Sequence, residues 1–144
     1  MDVEERVNLV TKNTAEVITK EELLNLLETK ERPRVYVGYE ISGFVHIGMG
    51  LISIRKLRDF IEAGLETIVF LADWHSFINN KLGGNMENIR KAGEYFIHCF
   101  KALGVEPGKA KFIWASDLVK DPSYWEKVIR IAKKVSLNRV KRAL

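Results

Sequence analysis

Cysteine is nearly absent. Cys99 stands alone, so no disulfide can form within the chain, and stability must come from a packed core. Cys99 sits between His98 and Phe100 in a helical pattern, which predicts a buried, inert thiol. No apolar run approaches the roughly 18 residues of a membrane-spanning helix. The N-terminus, Met1-Asp2-Val3-Glu4-Glu5, is acidic and lacks the basic-then-apolar order of a secretory leader. Three histidines and no cysteine pair are too few ligands for a zinc centre, and no bound metal is expected. Together these absences lead to the expectation of a cytoplasmic protein with no membrane partner. Acidic residues disappear from the last stretch: Lys127, Arg130, Lys133, Lys134, Arg139, Lys141 and Arg142 have no acid among them up to Leu144. Such a run can neutralise nucleic-acid phosphates, or it can simply be a solvated helix face.

What is present suits a single domain of 144 residues with a real core. The first twenty residues read as helical, with Val3, Val7 and Val10 at helical spacing. Thr19 and Glu22 fit a capping box that opens a second helix with Leu23, Leu24, Leu26 and Leu27 on its apolar side. After Pro33, the run from Arg34 to Tyr39 is rich in β-branched and aromatic residues and predicts a strand. His46 to Ala63 carries apolar residues at helical spacing and stops at Gly64. Thr67 to Ala72 is almost wholly apolar, as in a strand buried on both faces. Asn85 is placed to cap a helix from Met86 to Leu103, ended by Gly104; Lys111 to Ala115 predicts a third strand. A final helix follows Pro122, and its apolar face of Trp125, Val128, Ile129, Ala132 and Val135 is expected to pack on the sheet. Alternating strands and helices give an α/β, Rossmann-like, mainly parallel sheet with flanking helices, preceded by N-terminal helices. The expected division is a helical segment over 1–33 and a nucleotide-binding unit over 34–144.

The chemistry concentrates where the first strand turns into a helix. Tyr36-Val37-Gly38-Tyr39-Glu40-Ile41-Ser42-Gly43-Phe44-Val45-His46-Ile47-Gly48 reads as strand, glycine-bearing turn and helix start. A helix N-terminus offers unpaired N–H groups to an anion, and glycines let a phosphate approach the backbone. His46 is placed to donate a hydrogen bond to a phosphate oxygen. After the second strand, Asp73-Trp74-His75 falls at the carboxyl end of a parallel strand, where α/β proteins bind ligands. Asp73 and His75 have no third ligand nearby in the sequence, which speaks against a metal pair.

The whole block resembles the "HIGH" signature of class I aminoacyl-tRNA synthetases, and its flanks resemble the tyrosyl-tRNA synthetases of the archaeal and eukaryotic type. The resemblance implies ATP as a substrate, with Mg²⁺ bound to it, and it implies that His46 and Gly48 contact ATP, with His46 catalytic; Gly38 and Gly43, as glycines that let a ligand approach the backbone, complete the expected ATP cradle. The fourth signature position, often His, is Met49 here, and position 41 is Ile where many relatives have Pro. By the same resemblance Tyr36 pairs the phenolic oxygen of tyrosine, while Glu40, Phe70, Asp73 and His75 line the amino-acid pocket. Glu40 is suited either to the substrate's ammonium group or to ordering the loop, and Asp73 is suited to holding the loop. Trp114-Ala115-Ser116-Asp117 resembles the strand end next to the tyrosine ring; Leu118 and Val119 match positions that vary among relatives.

The second signature of that family, Lys-Met-Ser-Lys-Ser, is missing; Lys134-Val135-Ser136 begins similarly but lies too early and in an amphipathic helix. The family's later Tyr-x-x-x-Gln-x-x-Asp helix is also missing. The chain therefore matches the first half of the family's catalytic domain. The expected function is a tyrosine–tRNA ligase represented by its ATP- and tyrosine-binding half. The alternatives are a nucleotide- or RNA-binding fragment of little activity and a tryptophanyl relative. Expected partners are tyrosine, ATP, tRNA through the basic residues of 127–142, and a complementary C-terminal half or a homodimer partner.

Overall fold

The computed structural model describes residues 1–143. Three parallel strands, β1 (Arg34–Tyr39), β2 (Glu66–Leu71) and β3 (Ala110–Trp114), lie in the order β1-β2-β3. Tyr36 pairs with Ile68 and Gly38 with Phe70, and Phe70 pairs in turn with Ile113. Because strand side chains alternate, Tyr36, Gly38, Ile68, Phe70 and Ile113 share one face. Val37, Tyr39, Val69, Leu71, Phe112 and Trp114 share the other.

The second face carries the core. The helix α3 (Arg55–Glu62) and the long helix α5 (Met86–Ala102) lay Leu57, Ile89, Phe96 and Phe100 against Val69 and Leu71, with all six buried. Tyr39 meets Phe100 edge to face at 4.9 Å between ring centroids. The first face has no such cover. β2 is buried only at Thr67, Val69 and Leu71, while Glu66, Ile68 and Phe70 remain partly exposed. The expectation of a strand buried on both faces is therefore corrected: the apolar run marks one core face and one open face. At the amino ends of the strands that open face carries charge, with Glu66 bridging Arg34 and Lys111. Lys111 first, then Arg34, holds the Glu66 carboxyl below the usual range.

The N-terminal helices α1 (Val3–Thr11) and α2 (Lys20–Thr29) are clamped to α3. The Arg6 guanidinium donates to the carbonyls of Leu27, Glu31 and Ala63. The Lys56 ammonium donates to Leu9 O and Lys12 O at 2.8 and 2.7 Å, closing the carboxyl end of α1. Thr19 caps Glu22 as the sequence implies, but the reciprocal capping box is made by Asp2 and Glu5.

Two connections are more structured than the sequence suggests. A short α4 (Asp73–Ile78) follows β2, and α6 (Ala115–Leu118) follows β3. The helix after the first strand starts at Ile47 and widens into a π-helical segment, Met49–Ile54, before α3. The final helix is two, α7 (Pro122–Ala132) and α8 (Leu137–Ala143). No residue of α7 is buried; Trp125 is 52% and Ile129 67% exposed. This corrects the expected packing of its apolar stripe on the sheet, since Trp125 and Ile129 stay largely open to solvent. Cys99 is half-buried rather than buried. Leu144, the end of the basic segment, lies outside the described residues.

Gly93 sets how closely α5 meets the sheet. A Cβ there would stand 2.3 Å from the Trp114 ring and 2.9 Å from Ile41. Gly93→Ala should therefore lower stability by about 1–3 kcal/mol through overpacking, which urea denaturation would measure as a lower midpoint at an unchanged slope.

Candidate functional site

The carboxyl ends of β1, β2 and β3 converge, and side chains rather than regular structure hold their three exits together. After β1, Ile41 N donates to the Ser76 hydroxyl at 2.8 Å, which in turn donates to Ala72 O at 2.9 Å; Ala72 N returns to Tyr39 O at 2.9 Å. The Tyr39 hydroxyl and Ser53 lie 2.5 Å apart, joining β1 to the π-helical segment, and burial pushes the Tyr39 phenol up.

His46 stands directly before the helix. Its Nδ1 accepts from Met49 N at 3.3 Å, so the ring itself caps the first turn. A ring nitrogen that accepts is unprotonated, which puts the proton of the neutral imidazole on Nε2. The Ile47 and Gly48 amides, first in the helix, have no intrahelical acceptor. Gly48 keeps room for this ring: a Cβ there would lie 3.3 Å from His46 Nδ1 and Cε1. Gly43, in the turn before it, has nothing within 4 Å of an added Cβ, and Gly38 would meet only the Phe70 ring at 3.7 Å. Gly43 thus leaves open space in the turn, Gly38 leaves it on the sheet face beside Phe70, and Gly48 is needed by the His46 ring itself.

On the open face of the sheet, Tyr36 is 73% exposed, on the same face as Phe70. Phe70 and His75 come together in an apolar cleft of about 400 Å³, whose other walls include Trp74, Ala115, Leu118, Val119 and Trp125. Trp125 is fixed by its indole N–H, which donates to Val119 O at 2.8 Å. Two predicted site residues are placed elsewhere. The Glu40 carboxylate accepts from Asn79 Nδ2 at 2.5 Å and lies 3.5 Å from Lys81 Nζ, tying the loop after α4. Asp73 is 0% exposed and lies behind the cleft rather than in its lining. It accepts from Trp74 N, Ser116 N and Ser116 Oγ. A further cleft, about 610 Å³, is at neither place; Asn13, Leu51, Lys56 and Phe60 line it beside α3.

Sequence reasoning missed Ser76, Ser53, Arg90 and Trp125. Ser76 offered the one available signal, being a small hydroxyl four residues after Ala72 at the end of an apolar strand. Among the described residues, no group of three or more His, Cys, Asp or Glu is arranged to hold a metal ion, and no helix is long and apolar enough to cross a membrane.

Comparison with known proteins places this geometry in context. The family model of class I tRNA synthetases (W and Y) matches residues 28–143. The tyrosine–tRNA ligase of Sulfurisphaera tokodaii is 46% identical over 144 residues, covering 100% of this chain and 39% of that protein. The crystal structure of tyrosyl-tRNA synthetase from Aeropyrum pernix superposes with a TM-score of 0.93 at 46% identity, over 100% of this chain and 44% of that one. The Pyrococcus horikoshii tyrosyl-tRNA synthetase complexed with L-tyrosine gives 0.87 at 47% identity, over 99% and 40%. The chain thus spans about two fifths of the length of the curated relatives it matches.

The hydroxyl of Ser76 satisfies the buried Ile41 amide. Ser76→Ala should cost about 1–3 kcal/mol because that N–H is left without an acceptor. Thermal unfolding would check it, and an unchanged melting point would mean that the Ile41 amide finds another partner.

Proposed function

This chain belongs to the class I tRNA synthetases of the tryptophan and tyrosine group, and on that premise we propose that it is the ATP- and tyrosine-binding half of a tyrosine–tRNA ligase. In the proposed reaction a carboxylate oxygen of tyrosine attacks the α-phosphorus of ATP. The bond to the β-phosphate oxygen breaks, giving tyrosyl-adenylate and pyrophosphate. Transfer then moves the tyrosyl group to the terminal adenosine of tRNA, with AMP as leaving group.

One observation carries the reading. His46 is pinned at Nδ1 by the Met49 amide, leaving Nε2–H as an outward donor at a helix start. A donor held in place before the reaction stabilises charge that develops on the phosphates without reorganising. Gly38 and Gly43 supply room for the nucleotide, and Gly48 makes room for the His46 ring. Mg²⁺ enters with the triphosphate in this reading and supplies charge neutralisation there. Tyr36, Phe70 and His75 form the amino-acid side of the site, with the ring in the cleft beside Phe70. The Tyr36 hydroxyl, facing out from the open sheet face, is suited to a substrate hydroxyl, which favours tyrosine over tryptophan. Glu40 serves the loop through Asn79 and Lys81.

The proposed partners follow from what is uncovered. The outer edge of β1 is unpaired in the sheet, and Tyr36, Ile47, Leu51 and Ile52 are exposed; a complementary half would add there. The exposed stripe of α7 and α8, with Trp125, Ile129, Leu137 and Val140, is suited to a homodimer partner. The basic residues of 127–142 are suited to tRNA.

Two measurements test the proposal. His46→Ala should weaken MgATP binding by about 1.5–3 kcal/mol, the range for a hydrogen bond to a charged group. His46→Asn, which keeps a side-chain cap for the helix, should show the same loss by titration calorimetry. Affinity equal to the wild type would remove His46 from the site. Tyr36→Phe should narrow the preference for tyrosine over phenylalanine by about 0.5–1.5 kcal/mol. A ratio of affinities that stays unchanged would remove Tyr36 from recognition of the phenol.

A further inference from the structure

The cleft beside Phe70 has two walls from different parts of the chain. Trp74 and His75 come from α4, and Leu118 and Val119 from the end of α6. One buried carboxylate, on the first residue of α4, reaches from the first wall to the second. Asp73 Oδ1 accepts from Trp74 N at 2.9 Å, on one wall, and from Ser116 N at 2.9 Å, on the other. Asp73 Oδ2 accepts from Ser116 Oγ at 2.5 Å, and Arg90 Nε stands 3.6 Å away. Arg90 is itself fixed, with its guanidinium 4.4 Å from the centroid of the Trp114 ring and Nη2 3.7 Å from Asp117. Both Asp73 oxygens are engaged inside the protein, and the side chain is 0% exposed. A ligand in the cleft has no access to it.

We infer that Asp73 is a positioning residue: through Ser116 and Arg90 it sets the separation of the two cleft walls, and hence the fit of the substrate's ring. This rests on the reading that the cleft receives tyrosine. The physical case is that a buried charge must be matched by several donors at once. Asp73 opens α4 and so belongs to one wall, while Ser116 N and Oγ, 43 positions away, belong to the other, so a shift of either wall separates the carboxylate from these donors.

Ser116 is the handle for a test, because it is only half-buried. In the full chain, Ser116→Ala should weaken L-tyrosine binding about tenfold in titration calorimetry, and Ser116→Thr, which restores the hydroxyl, should stay within about twofold of wild type. Leu27→Val, in the separate cluster under the N-terminal helices, serves as a stability control. It should lower the melting point and leave tyrosine affinity unchanged. Wild-type affinity in Ser116→Ala would overturn the inference, as would an equal loss in Ser116→Ala and Leu27→Val. If the wild-type chain takes up no L-tyrosine, the tyrosine reading fails for this chain, and amide hydrogen exchange decides the latch on its own. Ser116→Ala should then speed exchange about tenfold at Trp74, across the cleft, and leave Phe96 and Phe100 unchanged. Unchanged exchange at Trp74 would overturn the latch.

Discussion

Buried polar groups at the carboxyl ends of three parallel strands must find partners, and the rest of the structure depends on how they do. Each strand ends in a chain reversal, where the ladder stops and amides and carbonyls lose their regular acceptors. Here Ser76 closes the exit of β1, Asp73 closes those of β2 and β3 together, and Ser53 with Tyr39 closes the approach of the π-helical segment. Among the described residues, no buried side-chain nitrogen or oxygen is left without a partner. The same bonds that satisfy the backbone bring the His46 turn, α4 and α6 side by side. The site is thus a by-product of meeting a solvation constraint, with the charge of Asp73 offset by Arg90.

The sheet is asymmetric, and the asymmetry decides where chemistry is possible. α3 and α5 cover one face, so Val69 and Leu71 are fully buried. The other face shows water Tyr36, Ile68 and Phe70 towards the carboxyl ends and the Arg34–Glu66–Lys111 ladder towards the amino ends. A parallel sheet is ordinarily covered on both sides. The charged ladder suits an end facing solvent, whereas the exposed aromatic residues suit an end that receives a ligand or a further segment. Glycine at 38 accentuates the difference, because it removes a side chain from the open face next to Phe70.

Elements with local causes were legible in the sequence. β1 runs over the predicted Arg34–Tyr39, Asn85 caps α5 by accepting from Asn88 N, and Gly64 and Gly104 end their helices at φ of 77° and 89°. Each depends on residues within a few positions. The misreadings share a different cause. Whether the apolar stripe of α7 is buried depends on where α6 directs the chain, and whether β2 has one covered face or two depends on which helices return to it. Neither is encoded in periodicity. The proposed site residues divide the same way. His46 and Gly48 were visible as a contiguous signature. The partners of Asp73 come from Ser116 and Arg90, 43 and 17 positions away, where only the fold brings them together. Glu40 offered two uses in the sequence; its bonds to Asn79 and Lys81 favour the loop.

The C-terminal helices show how one segment can carry two surfaces. The apolar side chains Trp125 and Ile129 are one helical turn apart and exposed, while Arg130 lies on another side of α7 and Lys134 stands just past the end of that helix. Arg130 is already engaged, since its guanidinium donates twice to Glu126 at 2.9 and 2.6 Å. Lys134 enters no ion pair among the described residues. An unpaired cation gives up no existing bond on meeting a phosphate, whereas Arg130 must first release a carboxylate, so the two are unequal in the proposed tRNA contact. A partner laid on the apolar side would bury Trp125 and Ile129, whereas Lys134 stands past the end of that helix. Covering one surface therefore does not compete with using the other.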